Sequence, residues 1–219
     1  QALDAGSALL ATAPANEWSD GAALGQALRE TSSNRSSLFL TSKLHPRDLG
    51  EQPTLDAFPA SLRRLGTTYL DAFLLHYPRC FGSLCAGREP RGDWKQSWRA
   101  LEKLYEDGLV RAIGVSNFAP PELLQLVDWA RTGPHIVQSW MDPLMQAREL
   151  RAICSRRGIV FQAYSTLGTQ HRTPFNPVLK HGVVRSLAAE VNRSEAQVVL
   201  RWALQRGVAV IPRASKPRH

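Results

Sequence analysis

The chain has 219 residues, of which 43% are hydrophobic and 21% charged, an ordinary balance for a globular protein with a sizeable core. No apolar run reaches the roughly 18 residues that a membrane span needs, and the opening "QALDAGSALLATAPANEW" lacks the basic start of a secretory signal, so neither a membrane nor an export role is expected. Basic residues exceed acidic ones by 27 − 19 = 8, but the arginines are scattered and form no run with interleaved aromatics, which argues against nucleic acid and leaves a phosphorylated ligand as the better account of the charge.

In chain order, short apolar runs alternate with longer amphipathic ones. The strand candidates are residues 8–13, 38–43, 70–76, 111–117, 135–140, 159–165 and 207–212. Their near-continuous apolar character suits parallel strands covered by helices. The helix candidates are 21–30, 54–66, 94–108, 120–132, 147–158, 183–192 and 194–207. Ser19 and Asp20 precede the first as caps, Pro59 either weakens the second helix or implies that it starts near that residue, and Ser194 caps the last. Cys80, Cys85 and Cys154 show no metal-type spacing, so no metal site is expected. They read as reduced thiols of a cytoplasmic protein, with a local Cys80–Cys85 pair as the alternative.

Seven strand–helix alternations with no break in composition predict one α/β domain. A doubly wound sheet and a (β/α)8 barrel both fit this pattern. No GxGxxG follows any strand, which removes the main support for a dinucleotide-binding Rossmann unit. A repeat of about 25–35 residues favours the (β/α)8 TIM barrel.

In a barrel the reacting groups lie at the carboxyl ends of strands. That rule selects Lys43, His76, Ser116, Asn117, Gln138, Tyr164, Ser165 and Arg213. Taken singly, each has a plainer role: the lysine as a solvated gatekeeper, the histidine as a hydrogen-bonded core residue, Ser116-Asn117 as a turn, Gln138 as a backbone partner and Tyr164 as packing. As a set they suit a particular ligand. A lysine and a histidine can stabilise a developing oxyanion. Amides beside a tyrosine ring suit a flat, carboxamide-bearing ring, and the basic stretch "RASKPRH" suits a phosphate. Together these describe a nicotinamide cofactor with an additional phosphate.

Five segments, "LFLTSKL", "SLRRLGTTYLDAFLLHYP", "WRALEKLYEDGLVRAIGVSNF", "GIVFQAYSTLG" and "VVLRWALQRGVAVIPRASKP", carry a resemblance to the aldo-keto reductase superfamily over essentially the whole chain. The resemblance implies a (β/α)8 barrel that reduces aldehydes and ketones with NADPH, with a tyrosine as proton donor tuned by a lysine, an aspartate and a histidine. By motif, Lys43 and His76 are the catalytic pair. Ser116, Asn117 and Gln138 hold the carboxamide, and Tyr164 stacks on the ring. Ser165 and Leu167 meet the pyrophosphate, and Arg213, with Arg218, meets the adenosine phosphate.

The departures are equally specific. The family opening resembles "ALDAGYRHIDTAxxYGNE", whereas this chain reads "ALDAGSALLATAPANE". Ala11 stands at the aspartate position and neither Pro14 nor Ala15 carries the tyrosine hydroxyl. Ala214 replaces a phosphate-contacting serine, and the chain ends at His219, where the adenosine-phosphate arginine falls in the family. The expectation is therefore a single monomeric domain over residues 1–219. It is incomplete at the amino end, lacking the first barrel strand, with completeness at the carboxyl end left open. NADP(H) binds with reduced affinity, and reduction of a small carbonyl substrate is weak or lost. The alternatives are a non-catalytic barrel binding a nucleotide or a protein partner, and a fragment of a longer enzyme.

Overall fold

The computed structural model describes residues 8–13 and 21–213. The chain divides into two compact units, residues 1–136 and 137–219. The first holds β1 (Leu9–Ala11), α1 (Gly21–Glu30), β2 (Phe39–Leu44), α2 (Glu51–Leu65), β3 (Ala72–Leu75), α3 (Trp94–Glu106), β4 (Ile113–Ser116) and α4 (Pro120–Trp129). The division falls after the first residue of β5 (Ile136–Trp140). Beyond it come α5 (Arg148–Arg157), β6 (Val160–Tyr164), α6 (Gly182–Glu190), α7 (Glu195–Leu204) and β7 (Ala209–Val210). All seven expected strands are present, each within a few residues of its expected bounds.

In the first unit, β1, β2, β3 and β4 are parallel neighbours in that order. The registers Leu10↔Leu40, Lys43↔Leu74 and Leu75↔Val115 run along the sheet. In the second, β6 and β7 pair in parallel through Gln162↔Ala209. Seven parallel strands alternating with helices form a (β/α) barrel architecture one strand short of eight among the described residues.

The strands are apolar because both faces are covered. Leu40, Leu74, Leu75, Ile113 and Val115 of the strands are buried, as are Phe58 of α2, Trp98 and Leu101 of α3 and Leu123 of α4. Phe58 meets Phe73 edge-on, with ring centroids 5.3 Å apart, an arrangement favoured by the ring quadrupoles. In the second unit Val178, Val184 and Val199 form a core with Leu167 packed on it. The helix signals act as their chemistry requires. Asp93 and Gln96 cap α3 reciprocally, Ser194 and Gln197 do the same for α7, and Gly158 closes α5 with a left-handed backbone, φ 67°. Ser19 and Asp20 lie outside the described residues.

Pro59 corrects one expectation. Helix α2 starts at Glu51 and runs through it. Phe58, Ser61 and Leu65 are buried while Pro59 is exposed. The carbonyl that loses its proline partner therefore belongs to the solvent side, where helices tolerate opening. Gly114 in β4 marks a close approach: a Cβ there would collide with the Ile136 carbonyl and the Leu74 side chain.

At the amino ends of the first unit's strands, Asp71 is buried and fully engaged. Its carboxylate accepts the Leu40 N–H at 2.9 Å and pairs with Arg35 at 2.8 Å and Arg111 at 3.0 Å. The same two guanidinium groups lie over the Tyr69 ring, 4.1 and 4.4 Å from its centroid.

Candidate active site

Lys43 is the penultimate residue of β2 and only 6% exposed. The solvated-gatekeeper reading therefore fails. Its Nζ donates to the Thr12 carbonyl at 3.2 Å, and among the described residues no carboxylate lies within ion-pair distance. Burial without a counter-charge lowers its pKa from 10.5 to about 8.

His76 follows β3. Its backbone N–H donates to the Leu44 carbonyl at 3.0 Å, and its ring stacks on Tyr77 with centroids 4.9 Å apart. Burial, then the charge of Lys43, then His45 drive its pKa far below that of a free imidazole. His45 is itself buried and its pKa falls to about 4, through burial and then the Arg47 charge. Its Nδ1 accepts the Arg47 N–H at 3.1 Å. Burial raises the pKa of Tyr77, which keeps the phenol protonated. The sequence reading missed His45, although "KLH" places it two residues after Lys43.

Ser116 ends β4, and Asn117 takes a left-handed backbone with φ 59°. The Asn117 amide donates to the His76 carbonyl at 2.9 Å and to Ser116 Oγ at 3.1 Å. This pair is therefore a tie between neighbouring strand ends rather than a simple turn. A cavity of about 810 Å³ in the first unit is lined by Lys43, His45, Asp56, Arg64, Arg88 and Arg91, among others.

In the second unit, Gln138 on β5 is buried and donates its amide to the Gln162 side chain on β6. That leaves Gln138 Oε1 as an acceptor. Tyr164 is half-buried at the end of β6. Ser165 follows with φ 53°, and its Oγ accepts from Gln170 at 3.3 Å. The Leu167 carbonyl accepts the Asn176 amide at 2.6 Å, and Gly168 closes the turn by donating to the Ser165 carbonyl at 2.9 Å. Arg213 is exposed. Pro14, Ala15, Ala214 and Arg218 lie outside the described residues. A second group went unread in the sequence: buried Asp142 accepts the Trp140 indole N–H at 2.8 Å and pairs with His171 at 2.9 Å.

The cysteine reading is corrected. Cys80 and Cys85 form a disulfide with their Cα atoms 5.8 Å apart, while Cys154 is free and buried. Turn hydrogen bonds from Leu84 N–H to the Phe81 carbonyl and from Ala86 N–H to the Ser83 carbonyl fold the loop back on itself. The loop thereby holds Phe81 edge-on to Tyr77 at 5.2 Å. No helix among the described residues is long and apolar enough to cross a membrane.

A sequence profile of the aldo/keto reductase family matches residues 1–219. The chain is 40% identical over 216 residues to an aldo-keto reductase of Mycolicibacterium vanbaalenii, covering 99% of this chain and 71% of that protein. It is 40% identical over 193 residues to the glyoxal reductase of Bacillus subtilis, covering 88% and 64%. Among solved structures, the aldo/keto reductase of Brucella melitensis matches 99% of this chain and 77% of its own with TM-score 0.86 at 34% identity. A Bombyx mori aldo-keto reductase in complex with NADP matches 99% and 72% with TM-score 0.88 at 27% identity. The chain spans about two thirds of the length of the curated relatives it matches, 64–71%.

Proposed function

The chain belongs to the aldo/keto reductase family, and from that premise we propose an NADP(H)-binding oxidoreductase domain for small aldehydes and ketones whose carbonyl reduction is weak or absent. The observation that carries the reading is the grouping of Lys43, His76, Ser116 and Asn117 at the carboxyl ends of three successive strands. In a barrel that is the end where chemistry is done.

NADP(H), when bound, supplies the hydride. The donor set suits it. Ser116 and Asn117, and in the second unit Gln138 with its unspent Oε1, match a carboxamide. Tyr164 offers a half-exposed ring, Ser165 and Leu167 a tight turn, and Arg213 an exposed cation for phosphate; Arg218 belongs to the same assignment. Ala214 in place of a serine is the reason to expect reduced affinity. Lys43 and His76 can polarise a substrate carbonyl, but Ala11 and the missing tyrosine hydroxyl leave no dedicated proton donor. A general acid supplies about 10²–10⁴-fold, so turnover falls by at least that factor unless His76 or Tyr77 takes over the proton transfer. We assign the whole of residues 1–219 to one monomeric domain.

A cytoplasmic location belongs to the same proposal. In a reducing compartment Cys80 and Cys85 are thiols, so their redox state in protein recovered from cells tests the location. Ala11 favours a second reading, a non-catalytic barrel that keeps nucleotide or protein binding.

The test is a titration with NADPH followed by quenching of the six tryptophans, then an aromatic aldehyde followed by NADPH absorbance. Binding with little turnover supports the proposal, and Ala11→Asp with Ala15→Tyr should raise the rate. Turnover equal to ordinary reductases overturns the weak-catalysis reading. Absence of NADPH binding by a cooperatively folded protein overturns the cofactor assignment.

A further inference from the structure

We propose that Lys43 is a carbonyl-condensing lysine, whose Nζ forms an imine with aldehydes at the cavity it lines in the first unit. Three observations on this residue converge. It is buried at the carboxyl end of β2, with the neutral Thr12 carbonyl accepting its hydrogen bond at 3.2 Å and no carboxylate in reach among the described residues. His76, just after β3, feels its charge, and His45, just after β2, lines the same cavity, two imidazoles that burial holds neutral; the carboxylates of Asp48, Glu51, Asp56 and Glu89 line that cavity too, without an ion pair to Lys43. It also lines a cavity of about 810 Å³, ample for a small aldehyde and for the water released. Lys43 is the group least able to keep its ammonium form, and its pKa falls to about 8 for that reason.

The other described lysines meet a carboxylate or the faces of aromatic rings. Lys103 pairs with Asp107 at 3.0 Å. Lys95 lies over the rings of Trp94 and Trp129, and Lys180 over Phe175. At about pH 7.5, an amine titrating near 8 is neutral on the order of 10²-fold more often than one titrating at the ordinary lysine value.

The step balances without a redox partner. The Nζ lone pair attacks the carbonyl carbon, an N–C bond forms and the C=O π pair moves to oxygen. Two protons, both originally on the neutral amine, pass to that oxygen, which leaves as water as the C=N bond closes. The reaction needs no nucleotide, so it stands or falls separately from NADP(H) binding.

The experiment treats the full chain with benzaldehyde and sodium cyanoborohydride, without NADPH, and quantifies N-benzyl-lysine in proteolytic peptides by mass spectrometry. The expected result is labelling of Lys43 at least about tenfold above each of Lys95, Lys103 and Lys180. The excess should vanish when the same protein is labelled in concentrated urea, because the burial that frees the amine is gone. Lys43→Arg keeps a cation that cannot form the imine, and should lose the dominant adduct while surface labelling is unchanged. Labelling of native Lys43 at or below the surface level, or an excess that persists in urea, overturns the proposal. The urea comparison uses only the unsubstituted protein, so it decides the question even if the variant does not fold.

Discussion

Asn117 donates its side-chain amide to the backbone carbonyl of His76 at 2.9 Å, from a left-handed backbone with φ 59°. The bond joins the residue after β4 to the residue after β3, so one amide ties two candidate site residues to each other. Asn117→Ala removes the donor and keeps a Cβ in a conformation that disfavours it. We expect it to cost about 2 kcal/mol, read as a lower urea midpoint. Asn117→Gly removes the same donor without the strain and should cost less. Both should weaken NADPH binding alike, because the amide rather than the strain organises the strand ends. Equal stability of the two variants would refute the strain argument.

Acid should destabilise the protein above the usual carboxylate range. His45 has a folded pKa of about 4 against 6.5 for the free side chain. Between those values the unfolded chain binds the proton and the folded chain does not. The stability contributed by neutral His45 is thus complete above about pH 6.5 and is lost as pH falls toward 4, by roughly 1.4 kcal/mol per pH unit. His76 adds a loss of the same sign that begins at the same pH and extends lower, its pKa being lowered further. His45→Asn keeps a side-chain acceptor for the Arg47 N–H and removes the titration. Its denaturation free energy plotted between pH 4 and 6.5 should have a slope smaller by about one proton. An unchanged slope would mean that His45 protonates as easily folded as unfolded.

Asp71 should be among the residues least tolerant of change in the first unit. Asp71→Ala would strip the partner from the Leu40 N–H and from Arg35 and Arg111 at once. Arg111 is largely exposed and recovers hydration, so the cost is expected at about 3 kcal/mol, the lower end for a broken buried pair. Asp71→Asn retains an acceptor for the amide and should lose less. Chemical denaturation of both variants checks the order, and NADPH binding by the folded fraction should be little altered.

Reduction of the Cys80–Cys85 disulfide should act locally. The bridged residues are five apart, and closing so short a loop is worth about 2 kcal/mol by the chain-entropy argument. The visible consequence is at Tyr77, whose edge-on contact with Phe81 depends on the loop. Dithiothreitol should change the near-ultraviolet circular dichroism while leaving the far-ultraviolet spectrum in place. No near-ultraviolet change would show that Phe81 is held by other means.

The strands and helices were legible because their periods are set by local chemistry: continuous apolar runs for covered strands, and caps such as Ser194 and Gly158 at helix ends. Pro59 was misread because its effect depends on which side of the helix faces water, a tertiary property that spacing does not carry. The disulfide was misread for a similar reason, since five residues of separation permit a bridge only if the intervening turns fold back. Lys43, His76 and Asn117 could be chosen from strand ends. The Asn117–His76 tie, the Gln138–Gln162 pair and the group of Asp142 with His171 join residues 24 to 41 positions apart. Only the folded sheet brings them together.

The carboxylate of Asp71 grips two arginines and a backbone amide at the amino ends of the strands, while Lys43, His76 and Asn117 stand at the opposite ends. The buried ion cluster and the candidate reacting groups of this unit thus occupy opposite edges of one sheet. Side chains at the carboxyl edge can therefore vary from one relative to another while the carboxylate at the amino edge goes on holding the strands together.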